Sequence, residues 1–199
     1  MIFVVAHLLG NLQIFLGASW LNDYSEHLLS LPLLLWPARI ALLGALLTHI
    51  VLTLGLAVEN RKARPVRYIK EGTVQASLVS RRMVLTGIGL SLFIVYHLMH
   101  FTWRTAHPQF ADLDVTSMVV LSFKTPAISA VYITAMLILC AHLRHGSYSF
   151  LQSLGWTPPG GEKTARVAGG VFAGLIFIGY VSIPVASLLG WLKPLQGGA

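Results

Sequence analysis

Charge is what this chain has least of. Asp, Glu, Lys and Arg make up 11% of its residues, against about 25% in a typical soluble domain. With 55% hydrophobic residues and a mean hydropathy of +0.72, the chain reads as one that lives in a bilayer. Acidic residues number seven, and no long apolar run holds an obvious buried carboxylate. The single cysteine, Cys140, excludes an intramolecular disulfide and a four-cysteine iron–sulfur cluster. Lying mid-helix, it is expected to be a buried structural thiol. There is no Gly-rich phosphate loop, no nucleophile elbow, no Cys-x-x-Cys, no internal repeat and no low-complexity segment. The usual routes to nucleotide, acyl-transfer and dithiol chemistry are therefore missing.

Long apolar runs are what the chain has instead. A spanning helix needs about 20 apolar residues. Five runs qualify, at roughly 1–18, 32–58, 81–103, 124–150 and 165–191. They are unbroken and lack period-two alternation, which argues against strands. The expected fold is all-α: an integral membrane bundle of five transmembrane helices, forming one domain over 1–199. The segment 20–30 mixes polar and apolar residues and is expected to be a short amphipathic helix on the outer membrane surface. The loop 59–80 is expected to be extended around Pro65. Gly155 is placed to end a helix, and the Pro-Pro and Gly-Gly pairs of 155–162 mark a break.

The formal net charge of +7 is a topology signal and no sign of nucleic acid. Arg61, Lys62, Arg64, Arg67, Lys70, Arg81 and Arg82 lie between the second and third runs, and Arg144, Lys163 and Arg166 follow the fourth. Both segments are cytoplasmic by the positive-inside rule. The other loops carry Asp23, Glu26, Asp112 and Asp114. This places the N-terminus inside and the C-terminus outside.

Against this apolar background stand four histidines, His7, His49, His97 and His142, each in a separate run. An imidazole in lipid is costly unless something holds it. Two of them facing each other across a bundle can hold a haem iron from both sides. Depth tests the pairing. His49 and His142 lie about 14 and 16 Å from the cytoplasmic ends of their runs. His97 lies about 22 Å from its own cytoplasmic end, and His7 precedes the outer surface segment by about ten residues. The pairs expected are thus His49 with His142, nearer the cytoplasm, and His7 with His97, farther out. His100 and His145 each follow a chosen ligand by three residues, on nearly the same face, and depth alone leaves them open. His145 can also serve a haem propionate or a quinone. His27 and His107 are assigned to the surface. A first helix with His7 in its outer half would need some fifteen further residues upstream, so the physiological chain is expected to start earlier, which intact-mass measurement would check.

The segments His7-Leu8-Leu9-Gly10-Asn11, Ser30-Leu31-Pro32, Glu59 to Pro65, Val95 to Phe101 and His142 to Gly155 together resemble the cytochrome b558 membrane anchor of succinate dehydrogenase and fumarate reductase. The likeness runs through nearly the whole chain in the same order, and its most specific part is His142-x-x-His145-Gly146-x-x-Ser149. The resemblance implies a five-helix anchor with two b haems and axial histidines on the first four helices, which are His7, His49, His97 and His142 here. It favours His97 over His100 and His142 over His145. It implies a flavoprotein subunit and an iron–sulfur subunit on the cytoplasmic face of the inner (cytoplasmic) membrane, and a route from succinate through flavin, clusters and the two haems to quinone, expected to be menaquinone. The basic segments 61–70 and 144–166 are where the iron–sulfur subunit would dock. Candidates near an outer quinone are Asn11, Asp23, Glu26 and His27. Candidates near an inner quinone or a propionate are Arg144, His145 and Trp156. No catalytic residue for the dicarboxylate is expected in this chain. The rival readings are the cytochrome b anchor of a formate dehydrogenase, nitrate reductase or hydrogenase, and a haem-free membrane scaffold.

Overall fold

The computed structural model describes residues 1–63 and 83–195. The described residues are helical and contain no strand. Helix α1 (Ile2–Leu12) runs on through a 3-10 turn at Gln13–Phe15. It is followed by α2 (Trp20–Leu29), α3 (Pro32–Lys62), α4 (Met83–His97), α5 (Val115–Lys124), α6 (Pro126–Ser153) and α7 (Glu162–Leu188). Four of these are long and apolar enough to cross a membrane: α3, α4 with its extension to Thr102, α6 and α7. α1 matches the first expected run but is short. With its large apolar side chains turned outward (Leu33 is 93% exposed), the chain is a multi-pass membrane protein.

The helix ends follow local chemistry. α3 and α6 each start with proline at their first position, where the missing N–H costs nothing and φ is already set. α6 ends as expected at Gly155, whose φ of +70° suits glycine. Gly155 N–H reaches Gln152 O at 3.1 Å and Trp156 N–H reaches Leu151 O at 3.0 Å, the paired bonds of a Schellman cap. α7 ends in the same way at Gly190, φ +73°, with Trp191 N–H on Ala186 O at 2.9 Å.

Two features differ from the sequence reading. α3 runs on through Glu59 to Lys62 rather than stopping near Val58. The rest of the basic loop, including Arg64, Arg67, Lys70, Arg81 and Arg82, lies outside the described residues. The largest difference is α5, a ten-residue helix in a stretch expected to be loop. Asp114 caps it, accepting from Ser117 N–H at 2.9 Å, and a cap of this kind can start a helix that has no long apolar run. Thr116, Ser117, Val120 and Ser122 of α5 are completely buried. Too short to span, α5 wedges against α2, α6 and α7. α2 is the amphipathic helix expected, with Leu21 buried and Asp23, Glu26 and His27 exposed.

α6 and α7 form the most extensively packed pair, α4 lies on α6, and α1 lies on α7. Close approach at the last contact needs Gly179, where an added Cβ would sit 2.8 Å from Leu8 Cδ2. One apolar cluster joins Val120, Phe123, Tyr132 and Ile183 to Ile14 and Leu21. A second joins Leu8, Leu143, Ala173 and Ile176. α3 has no buried residue and, among the described residues, packs closely against α2 and α4. Cys140 is half-buried rather than buried.

Candidate cofactor site

The four histidines meet in twos. His7 of α1 and His97 of α4 have ring centres 5.8 Å apart with planes at 84°. His49 of α3 and His142 of α6 have ring centres 6.3 Å apart with planes at 81°. The helices carrying each pair, α1 with α4 and α3 with α6, are not among the closely packed pairs. Each pair therefore bridges helices held apart by others. Metal–imidazole bonds of about 2 Å, placed in line, with about 1 Å from each nitrogen to its ring centre, put ring centres about 6 Å apart. The residues present fit an iron held between two imidazoles. No group of three or more His, Cys, Asp or Glu side chains with metal-binding geometry occurs among the described residues.

Three of the four rings have neighbours that hold them, whereas His49 is exposed on α3. Phe3 stacks on His7 at 5.3 Å and 13°, and Tyr180 flanks it at 6.2 Å. Tyr180 donates to Val4 O at 2.8 Å, tying α1 to α7 beside His7. His97 lies among Phe93, Phe101 and Tyr132, with Nδ1 3.4 Å from Tyr132 Oη. His142 Nδ1 is 3.1 Å from Thr86 Oγ1. On this same α4 face Gly87 leaves room, since a Cβ there would lie 3.7 Å from His142 Cε1.

His100 is separated from His97 by its surroundings. A π-helical turn, Leu98–Thr102, follows His97 and carries His100 into the interior, where it is 2% exposed. Both its nitrogens are engaged, Nδ1 with Tyr132 Oη and Nε2 with Ser122 Oγ, each at 2.9 Å. A ring so tied has no lone pair for a metal. His145 Nε2 lies 3.3 Å from Ser149 Oγ, one turn along its own helix. His107 is no surface residue: it is half-buried, 2.9 Å from Tyr96 Oη and 4.5 Å ring to ring from His100. No periodic signal marks it, because the loop after the π turn folds back over α4. That fold-back holds Arg104 at φ +56°, with Nη1 donating to Ala111 O at 2.6 Å and Leu113 O at 3.1 Å.

The quinone candidates are scattered. Asn11 Nδ2 donates to His7 O at 2.6 Å, a bond along its own helix. Asp23, Glu26 and His27 are exposed on α2. Arg144 and Trp156 are exposed and His145 half-buried, with no hydrogen bond joining the three among the described residues. Arg144 instead lines a groove between α6 and α7 with Lys163 and Arg166. Sequence reasoning missed Asn22 and Asp114. Asn22 Nδ2 donates to Asp114 Oδ1 at 2.8 Å, and Thr116 N–H donates to Asn22 Oδ1 at 2.8 Å. This joint locks α2 onto the start of α5. Burial raises the Asp114 carboxyl, but the hydrogen bonds from Ser117, Asn22 and Thr116 outweigh it and hold the group below its ordinary value.

Comparison with protein families supplies the decisive finding. The family model described as succinate dehydrogenase/fumarate reductase transmembrane subunit matches residues 57–181, more than half of the chain. The chain belongs to this family. The match covers two of the four paired histidines: His97 and His142 lie inside it, and His7 and His49 lie before it. Comparison with curated proteins and with solved structures gave no match. As a transmembrane subunit of succinate dehydrogenase or fumarate reductase, the chain is separated from the anchors of formate dehydrogenase, nitrate reductase and hydrogenase.

Proposed function

We propose that this succinate dehydrogenase/fumarate reductase subunit holds two b haems, one between His7 and His97 and one between His49 and His142. In this role it links the iron–sulfur subunit to membrane quinone. The observation that carries the reading is the pair of facing imidazoles, repeated at two places in one bundle, with ring centres 5.8 and 6.3 Å apart. A bis-imidazole b haem supplies one-electron exchange with no open iron position. The chain's own work is to present four lone pairs, fix the ring planes and keep water away. Phe93 and Phe101 exclude water around His97, and Phe3 does so for His7. Lys62, Arg61, Arg144, Lys163 and Arg166 set the cytoplasmic side, where the flavoprotein and iron–sulfur subunits dock in this reading. The membrane is the inner (cytoplasmic) membrane and the quinone menaquinone.

The test is a reduced-minus-oxidised spectrum of the purified complex with pyridine haemochrome quantification. About two haems per chain support the reading; a complex with none refutes it. Co-purification of a flavoprotein and an iron–sulfur protein tests the partners separately.

A further inference from the structure

His100 is the most completely buried histidine, yet the proposed haem sites do not use it. Its hydrogen bonds explain its place. A neutral imidazole carries one N–H and one lone pair, and a hydroxyl carries one hydrogen. If His97 offers Nε2 to a metal, its proton sits on Nδ1 and points to Tyr132 Oη, 3.4 Å away. The single Tyr132 hydrogen then goes to His100 Nδ1 at 2.9 Å. The His100 proton is thereby placed on Nε2, where it is donated to Ser122 Oγ at 2.9 Å. The three hydrogen bonds then all run in one direction, from His97 through Tyr132 and His100 to Ser122. Run in the opposite direction, the chain would put the His97 proton on Nε2, and that nitrogen could not bind iron.

The second pair has a shorter device with the same outcome. Thr86 Oγ1 donates its only hydrogen to Met83 O at 2.9 Å. Its 3.1 Å contact with His142 Nδ1 must then be an N–H of the ring donating to the hydroxyl. Nε2 of His142 is left with its lone pair. The two devices share no residue: Thr86 lies on α4, whereas Tyr132 lies on α6 and Ser122 on α5.

We infer that Tyr132, backed by His100 and Ser122, and Thr86 are positioning residues: each fixes the tautomer and ring orientation of one metal-binding histidine, His97 and His142 respectively. This rests on the proposed bis-histidine haem sites. An acceptor on the far N–H also makes an imidazole a better donor to metal. That favours the ferric form, so losing the acceptor raises the midpoint potential of the haem it serves.

The test uses the intact complex carrying Tyr132→Phe, Thr86→Val or Thr86→Ser, with haem content and spectroelectrochemical midpoints as readouts. A tenfold change in the ratio of ferric to ferrous affinity corresponds to about 59 mV for one electron. Thr86→Val is expected to raise one midpoint by that order and leave the other in place, and Thr86→Ser to restore it. Tyr132→Phe is expected to raise the other midpoint alone. Low-temperature electron paramagnetic resonance should show the matching ferric signal changed in each variant and its companion unchanged. Haem-replete Thr86→Val and Tyr132→Phe complexes with both midpoints unmoved overturn the inference, as does a variant that moves both together. Should Tyr132→Phe not assemble, the Thr86 pair of variants decides. A wild-type complex without haem refutes the haem reading itself, whereas two haems with unmoved midpoints refute only the positioning role.

Discussion

A histidine's neighbours, more than its spacing, determine whether it can bind a metal. His97 and His100 lie three residues apart on one helical face, and position alone leaves them equivalent. Tyr132 and Ser122 engage both nitrogens of His100, whereas His97 has a hydrogen-bond contact at Nδ1 and its ring centre lies 5.8 Å from that of His7. His97→Ala should therefore lower haem content from about two to about one per chain, and His49→Ala should remove the other haem; pyridine haemochrome assays of the two purified variants check this. Asp114 gives a prediction of a different kind. Its folded carboxyl lies below the ordinary value, so the stability it adds is present above the unfolded value, about 3.9, and is lost as pH falls through the lowered one. Asp114→Ala should cost about 1 kcal/mol as a lost helix cap. In thermal unfolding of the detergent-solubilised complex, wild type and variant should differ at neutral pH and converge in acid.

At the scale of elements, termini were legible where proline and glycine write them. Pro32 and Pro126 open helices and Gly155 closes one, each through its own backbone limits. α5 was not legible, since ten residues buried among α2, α6 and α7 owe their place to tertiary packing rather than to periodicity. The α1–α7 contact at Gly179 was equally hidden, because it depends on which helix lies opposite. Gly179→Val should push Leu8 and α1 outward and weaken the haem site of His7 while sparing that of His49. Gly44, whose Cβ position is open, is the control: Gly44→Ala should retain both haems and gain up to about 1 kcal/mol from helix propensity. Haem content and thermal midpoint of both variants test the contrast.

For the whole molecule, the topology proposed from the basic residues has a cytoplasmic N-terminus and an outer C-terminus. A C-terminal alkaline phosphatase fusion should be active and a C-terminal green fluorescent protein fusion dark; the reverse pattern would invert the topology. The sequence by itself determined that the chain is a helical membrane protein, because apolar length answers directly to the thickness of lipid, and it pointed out four imidazoles whose burial demands a partner. The tertiary structure alone decided that His100 is bound up in hydrogen bonds and that His107 turns inward. Those outcomes depend on helix rotation and on contacts between residues distant in the chain, and such contacts leave no local pattern to read.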